Sequence, residues 1–196
     1  MTNDILQRLA SLRKVMSHEH IDAYIIPSSD AHLSEYTPEH WKGRRWISGF
    51  TGSAGTVVVT ADKAGLWTDG RYFLQAGQQL EGTSIDLYKE GIPGTPSIEQ
   101  FLAAELKAGQ TVGIDGRCFP TGAASATESA LDIYGIKLRT DKDLFDEAWR
   151  DRPEIPRGEL FVQPVKYAGE SVKDKIARVN KELAAQGANA TIITML

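Results

Sequence analysis

Arg71 has the strongest claim to chemistry among the side chains of this sequence. It lies in Trp67-Thr68-Asp69-Gly70-Arg71-Tyr72, and its planar guanidinium can hold a carboxylate or a peptide carbonyl by paired hydrogen bonds. The pattern predicts a helix beginning at Gly70, with Asp69 as N-cap and Tyr72, Phe73, Ala76 and Leu80 on one side. Arg71 would then stand in the first helical turn, where the positive end of the helix dipole disfavours a cation. A residue set against its local preference is expected to serve a ligand. The plain alternative is an arginine paired with a neighbouring acid on the surface.

Asp30 and His32 sit in a polar, aromatic loop with Glu35, Tyr36, His40, Trp41, Arg44 and Arg45, and loop residues of these types are candidates for lining a substrate cleft. His18-x-His20 and Asp30-x-His32 have metal-ligand chemistry. Residues two apart point to opposite sides of a strand and diverge on a helix, and nothing else is spaced to complete a site, so no metal ligand is predicted in this chain. His18 and His20 read as a polar helix end. Gly49, Gly52 and Gly55 match neither the dinucleotide nor the phosphate-loop pattern, and read as tight turns and close packing before a strand. Ser53, His32 and Asp69 supply the residue types of a hydrolase triad, but no G-x-S-x-G elbow is present. No catalytic residue is assigned.

The elements expected to hold these residues are short and apolar. Val57, Val58 and Val59 form one strand and residues 64–67 a second, joined tightly through Ala61, Asp62 and Lys63 as an antiparallel pair. Upstream, Ile5, Leu9, Leu12 and Met16 have the spacing of one buried helix face. Residues 23–27 read as a strand closed by a turn at Ser28-Ser29-Asp30, and Trp46-Ile47-Ser48 as a strand entering the glycine stretch. Downstream strands are expected over residues 85–89, 111–115 and 135–139. Helices are expected over residues 97–107, capped by Ser97 with Ile98, Phe101, Leu102 and Leu106 inward, over 120–134, and over 141–149. The alternation predicts an α/β fold with a mixed β-sheet flanked by helices.

The proline and charge after Trp149 mark an interdomain connection. A first domain is drawn over residues 1–150, a linker over 151–158 and a further segment over 159–196. In that segment Ser171 can cap a helix with Val172, Ile176, Val179 and Leu183 inward, and residues 191–195 read as an apolar strand. Those four positions repeat Ile5, Leu9, Leu12 and Met16 at one constant offset, and Ile192 and Ile193 repeat Ile25 and Ile26 at the same offset. A helix and its following strand sharing one offset read as the first helix and strand of a second similar domain. A sequence that stops in an apolar strand leaves backbone unpaired, so a longer protein is expected.

At 41% hydrophobic and 24% charged residues the chain has globular composition, and its formal charge of -4 argues against a nucleic-acid partner. No run approaches the ~18 apolar residues of a membrane span, and the N-terminus lacks the basic-then-apolar order of a signal peptide. A cytoplasmic location without a membrane partner is expected. Cys118 is the single cysteine, which excludes a disulfide within the chain and a cysteine metal cluster and leaves a packing role.

Three stretches are distinctive: GFTGSAGTVVVT with WTDGRYFLQA, AYIIPSSDAHLSEY over residues 23–36, and WRDRPEIP over residues 149–156. They are long, ordered and correctly separated. Over most of residues 5–196 the chain resembles the creatinase-type N-terminal domain of Xaa-Pro aminopeptidases (aminopeptidase P) in their three-domain form. The resemblance implies a second domain like the first, then a pita-bread catalytic domain with two aspartates, a histidine and two glutamates on a pair of divalent metals, manganese or zinc. No cofactor would belong to this chain itself. It further implies a whole enzyme that removes the N-terminal residue preceding proline from a peptide, acting as a homodimer. The present chain alone would be inactive and would contribute to substrate access and subunit contacts. In similar aminopeptidases the arginine of the WTDGRY motif contacts the bound peptide, a role that passes to Arg71. The rival reading is a stand-alone peptide-binding or protein-interaction module, since fold alone does not fix function.

Overall fold

The computed structural model describes residues 2–193, and the chain divides into two compact units, Met1–Ile155 and Pro156–Leu196. In the first unit, the strands among the described residues are β1 (Ala23–Ile26), β2 (Thr56–Thr60), β3 (Ala64–Thr68), β4 (Asp86–Lys89), β5 (Thr111–Ile114) and β6 (Lys137–Arg139). They form one sheet in the order β4-β3-β2-β1-β5-β6. The β1–β2 and β2–β3 pairs are antiparallel, and β1–β5, β3–β4 and β5–β6 are parallel. The helices of this unit are α1 (Thr2–His18), α2 (Gly43–Ser48), α3 (Phe73–Gln79), α4 (Ile98–Glu105), α5 (Thr121–Asp132) and α6 (Phe145–Ala148). The mixed sheet flanked by helices is the fold expected from the sequence.

Strand alternation explains why the central runs are apolar without a break. Tyr24, Ile26, Val57, Val59 and Leu66 join Ile5, Leu9, Leu12 and Met16 of α1 in one core. Their neighbours Ala23, Ile25, Val58 and Trp67 join Phe101, Leu102 and Leu131 of α4 and α5 in a second. A sheet covered on both faces needs apolar residues at successive positions. Helix α4 starts as expected, with Ser97 and Gln100 forming a reciprocal capping box.

In this unit three elements depart from the expectation. Trp46-Ile47-Ser48 belongs to a helix: Gly43, Arg44, Ile47 and Ser48 are its buried residues, a helical spacing, and Gly49 ends it at φ 73° with its N–H on the Arg45 carbonyl. The helix expected from Gly70 begins only at Phe73, with Tyr72 at the N-cap position and no side-chain cap. Asp69 instead accepts from the N–H of Arg71, and the Tyr72 N–H closes a turn onto the Asp69 carbonyl. Arg71 is therefore a turn residue, and the helix dipole says nothing about it. The helix expected over residues 141–149 is confined to α6, because Asp141 bridges Asp115 and the Asp143 carboxylate accepts from the Phe145 N–H.

The second unit contains α7 (Val165–Ala168) and α8 (Val172–Ala185). Ser171 caps α8 through the Asp174 N–H, as expected. Val172, Ile176 and Val179 are exposed and Leu183 is half-buried, so the face expected to turn inward is largely open. Of the strand expected over residues 191–195, residues 191–193 are not in a strand and 194–195 lie outside the described residues.

Candidate functional site

Two Asp-Gly-Arg turns stand at the C-terminal ends of β3 and β5. After β3, Asp69 Oδ1 accepts from Arg71 Nε at 2.9 Å and Oδ2 from Nη2 at 2.8 Å, in addition to the backbone N–H of Arg71 at 3.0 Å. After β5, Asp115 makes the same three bonds to Arg117 at 3.0 to 3.1 Å. The carboxylate closes a local turn and grips the guanidinium two residues on. The surroundings then separate the two arginines. Arg117 Nη2 also donates to Asp143 at 2.6 Å, and its guanidinium lies 5.0 Å from the Trp41 ring centre. Arg71 has no acidic partner beyond Asp69 among the described residues, and its side chain is 69% exposed.

The Arg71 fork holds the Asp69 carboxyl down at about 2. Asp69 occupies the Nε–Nη2 edge of the guanidinium and leaves Nη1 without a protein partner among the described residues, so a peptide carbonyl or carboxylate can still be held. The guanidinium carbon stands 5.3 Å from the centre of the Tyr72 ring. Tyr72 Oη and Ser53 Oγ are 2.6 Å apart, and this bond brings the phenol below its ordinary range against the opposing effect of burial.

Ser53 is placed by the glycine stretch. Thr68 Oγ1 donates to the Ala54 carbonyl at 2.7 Å and Ser28 Oγ to the Gly55 carbonyl, tying the stretch to the ends of β3 and β1. At Gly52 a Cβ would lie 2.2 Å from Phe50 Cζ and 2.7 Å from Tyr72 Cδ1. Phe50 is fully buried, so the ring cannot yield, and the close-packing role expected for these glycines holds here.

Asp30 and His32 do not join this arrangement. Asp30 is 1% exposed, and its Oδ1 accepts from the N–H groups of His32 and Ser34, both at 2.9 Å. Burial disfavours its ionised form, but these amides outweigh it and hold the carboxyl below its usual range. Asp30 thus shapes the loop, with the His32 side chain exposed to solvent. His18 lies 3.9 Å from Glu19. Among the described residues no group of three or more His, Cys, Asp or Glu could hold a metal ion. These residues do not fit a divalent metal centre. Cys118 is buried, which pushes its thiol up to about 12.

Sequence reasoning did not foresee the Ser53–Tyr72 pair or the burial of Arg44. The signal for the first was the tyrosine directly after Arg71. For the second it was the spacing of Arg44, Ile47 and Ser48 before Gly49, which is helical.

A family model described as Creatinase/Prolidase N-terminal domain matches residues 8–140, and a second model of the same description matches residues 151–196. The chain belongs to the creatinase/prolidase N-terminal domain family. This creatinase-type chain is 43% identical over 195 residues to aminopeptidase P2 of Arabidopsis thaliana, covering 97% of the chain and 27% of that relative. It is 40% identical over 197 residues to a protein of Laccaria bicolor described as a probable Xaa-Pro aminopeptidase P, covering 100% of the chain and 30% of the relative. The crystal structure of an X-prolyl aminopeptidase from Caenorhabditis elegans, described as a cytosolic enzyme with a di-nuclear active site, superposes with a TM-score of 0.84 at 35% identity. That match covers 98% of this chain and 33% of the other. The chain therefore spans about a third or less of the length of these relatives. No helix among the described residues is long and apolar enough to cross a membrane.

Proposed function

We propose that this chain is the non-catalytic N-terminal portion of a metal-dependent Xaa-Pro aminopeptidase, which removes the N-terminal residue preceding proline from peptides. One observation carries the reading: 43% identity to an aminopeptidase P runs through 97% of the chain yet meets only 27% of the relative. The portion shapes substrate access and subunit contacts in a cytoplasmic homodimer. The catalytic metals are two divalent ions, manganese or zinc, held outside this sequence; the di-nuclear site in the printed description of the Caenorhabditis elegans enzyme supports this.

Arg71 contacts the peptide, with Asp69 as the positioning residue that fixes the guanidinium. Asp30 organises the loop from which His32 reaches solvent, and this loop lines the approach for substrate. Residues 1–150 are the first domain, 151–158 the linker and 159–196 the start of a second similar domain, a division supported by the second family match over residues 151–196.

The test is hydrolysis of an Xaa-Pro peptide with manganese or zinc, by the 196-residue chain and by its reading frame extended to the length of the relatives. Turnover is expected from the extended protein alone. Turnover by the 196-residue chain would overturn the non-catalytic reading. A folded, metal-loaded extended protein without turnover would favour a peptide-binding module instead.

A further inference from the structure

Arg44 carries a buried charge that no acid among the described residues neutralises. Its side chain is 7% exposed, Nη1 and Nη2 donate to the carbonyls of Phe50 and Gly52, and Nε has no hydrogen-bond partner. Burial pulls the guanidinium down to about 10, which leaves it charged at neutral pH. Stapling the turn at Phe50 and Gly52 employs neutral acceptors, and neutral acceptors do not replace the hydration or counter-charge of a buried cation.

Arg44 stands in the wall of a cavity of about 250 Å³. Lys42 and Arg45 stand in the same wall, with Glu35 as its acid. Lys42 is paired with Glu39, whereas the exposed side chain of Arg45 has no hydrogen bond or ion pair among the described residues. With Lys42 matched by Glu39, Arg44 and Arg45 face one acid, Glu35. The hydroxyls of Ser28, Thr51 and Ser53 supply neutral donors, and Pro27 and Trp41 an apolar side. One spare positive charge on a planar fork, beside apolar surface, suits a carboxylate attached to a residue better than a strongly hydrated polyanion.

We propose that this cavity binds a carboxylate of a peptide. Ser53 belongs both to the cavity wall and to the Tyr72 hydrogen bond beside Arg71, so Ser53 and Tyr72 link the cavity wall to the Arg71 fork. That the carboxylate belongs to a peptide rests on the peptide reading of Arg71; the anion preference rests on the cavity alone.

The experiment titrates the 196-residue chain with Ala-Pro-Ala, with the same peptide as its C-terminal amide, with Ala-Pro-Asp amide and with acetate. It follows the amide resonances of Thr51, Gly52 and Ser53 and the indole N–H resonance of Trp41. The free acid should bind at least about tenfold more tightly than its amide, the size of one charge-assisted hydrogen bond. Lys42→Gln/Arg45→Gln, two substitutions outside the core, should weaken the acid about tenfold at unchanged Tm, and Glu35→Gln should tighten it. If Ala-Pro-Asp amide matches the free acid, the site reads any peptide carboxylate; if it falls to the level of the plain amide, the site reads the C-terminus. Equal binding of acid and amide, or perturbation confined to other resonances, overturns the proposal. Acetate binding as tightly as the peptide acid overturns its peptide part. Arg71→Ala should preserve the preference for acid over amide, so failure of the fork and failure of the cavity give different results.

Discussion

At residue scale Arg71 is a turn residue gripped by Asp69, two positions before α3 begins. The helix-dipole argument fails because Asp69 takes the backbone N–H of Arg71 into a tight turn and delays α3 to Phe73. Arg71 instead forms a surface pair with an acid, its Nη2 lying 2.8 Å from Asp69 Oδ2. It does not exhaust the guanidinium: Nη1 of Arg71 has no partner among the described residues, and Arg71 lacks the second acid, Asp143, that holds Arg117 in the equivalent turn after β5. An exposed pair contributes little to stability, so Arg71→Ala should move Tm by no more than about 2 °C. In the extended enzyme, kcat/KM on an Xaa-Pro peptide should fall about ten- to a hundredfold, the loss of one charge-assisted hydrogen bond to substrate. Arg71→Lys should recover part, keeping the charge without the fork. Asp69→Asn should raise KM more than it lowers kcat, because it loosens aim and leaves the donor. Unchanged kinetics with a large drop in Tm would make Arg71 structural.

At element scale the strands were legible and α2 was not. Strands β1, β2 and β3 announce themselves as apolar runs whose successive residues feed two cores. In α2 the helical face includes Arg44, and a charged residue at a buried position breaks the apolar pattern by which a face is recognised. The position of α6 was equally hidden, since the Asp143 carboxylate that accepts from the Phe145 N–H at its start is itself held by a network made by distant chain. Asp143, with its side chain 6% exposed, accepts from Arg117 and from Arg152 Nη1, both at 2.6 Å. Arg152 also donates to the His40 carbonyl at 2.9 Å, and both arginines face the Trp41 ring. The network joins β5, the turn at Glu39–Trp41 and the chain after α6. Asp143→Asn strips the charge from two partly buried guanidinium contacts and should cost about 3 kcal/mol, a Tm loss of roughly 6–12 °C for a domain of this size. Arg117→Ala leaves the Arg152 pair intact and should lower Tm by only about 2–4 °C after allowance for solvent screening. Thermal melts of both variants check the order; equal losses would mean that Asp143 acts through Arg117 alone.

At the scale of the molecule, composition and alternation sufficed for an α/β sheet, while the interactions that lock its ends lie between residues far apart in sequence. The end of α1 is the clearest case. Glu19 receives Lys142 at 3.1 Å and Arg139 at 3.2 Å, and the Glu19 carbonyl accepts from Arg139 Nη1 at 2.7 Å. No local pattern around Glu19 announces partners more than a hundred residues away. The Lys142 hydrogen bond is the largest influence on its carboxyl, burial opposes it, and Arg139 adds to it, so the group titrates below its ordinary value. Asp30 is likewise held low. A carboxyl whose pKa is lower in the folded than in the unfolded state stabilises fully above the unfolded value, about 4.3 for a glutamate, and loses that contribution as pH falls through the folded value. Tm should therefore be nearly level from pH 8 to about 5.5 and decline below about pH 4.5. Glu19→Gln should start lower at pH 7 and decline less steeply, so that the two curves converge as pH falls through the folded value of Glu19. Two parallel curves, separated by the same interval at every pH, would show that the charge on Glu19 does not fasten α1 to the chain after β6.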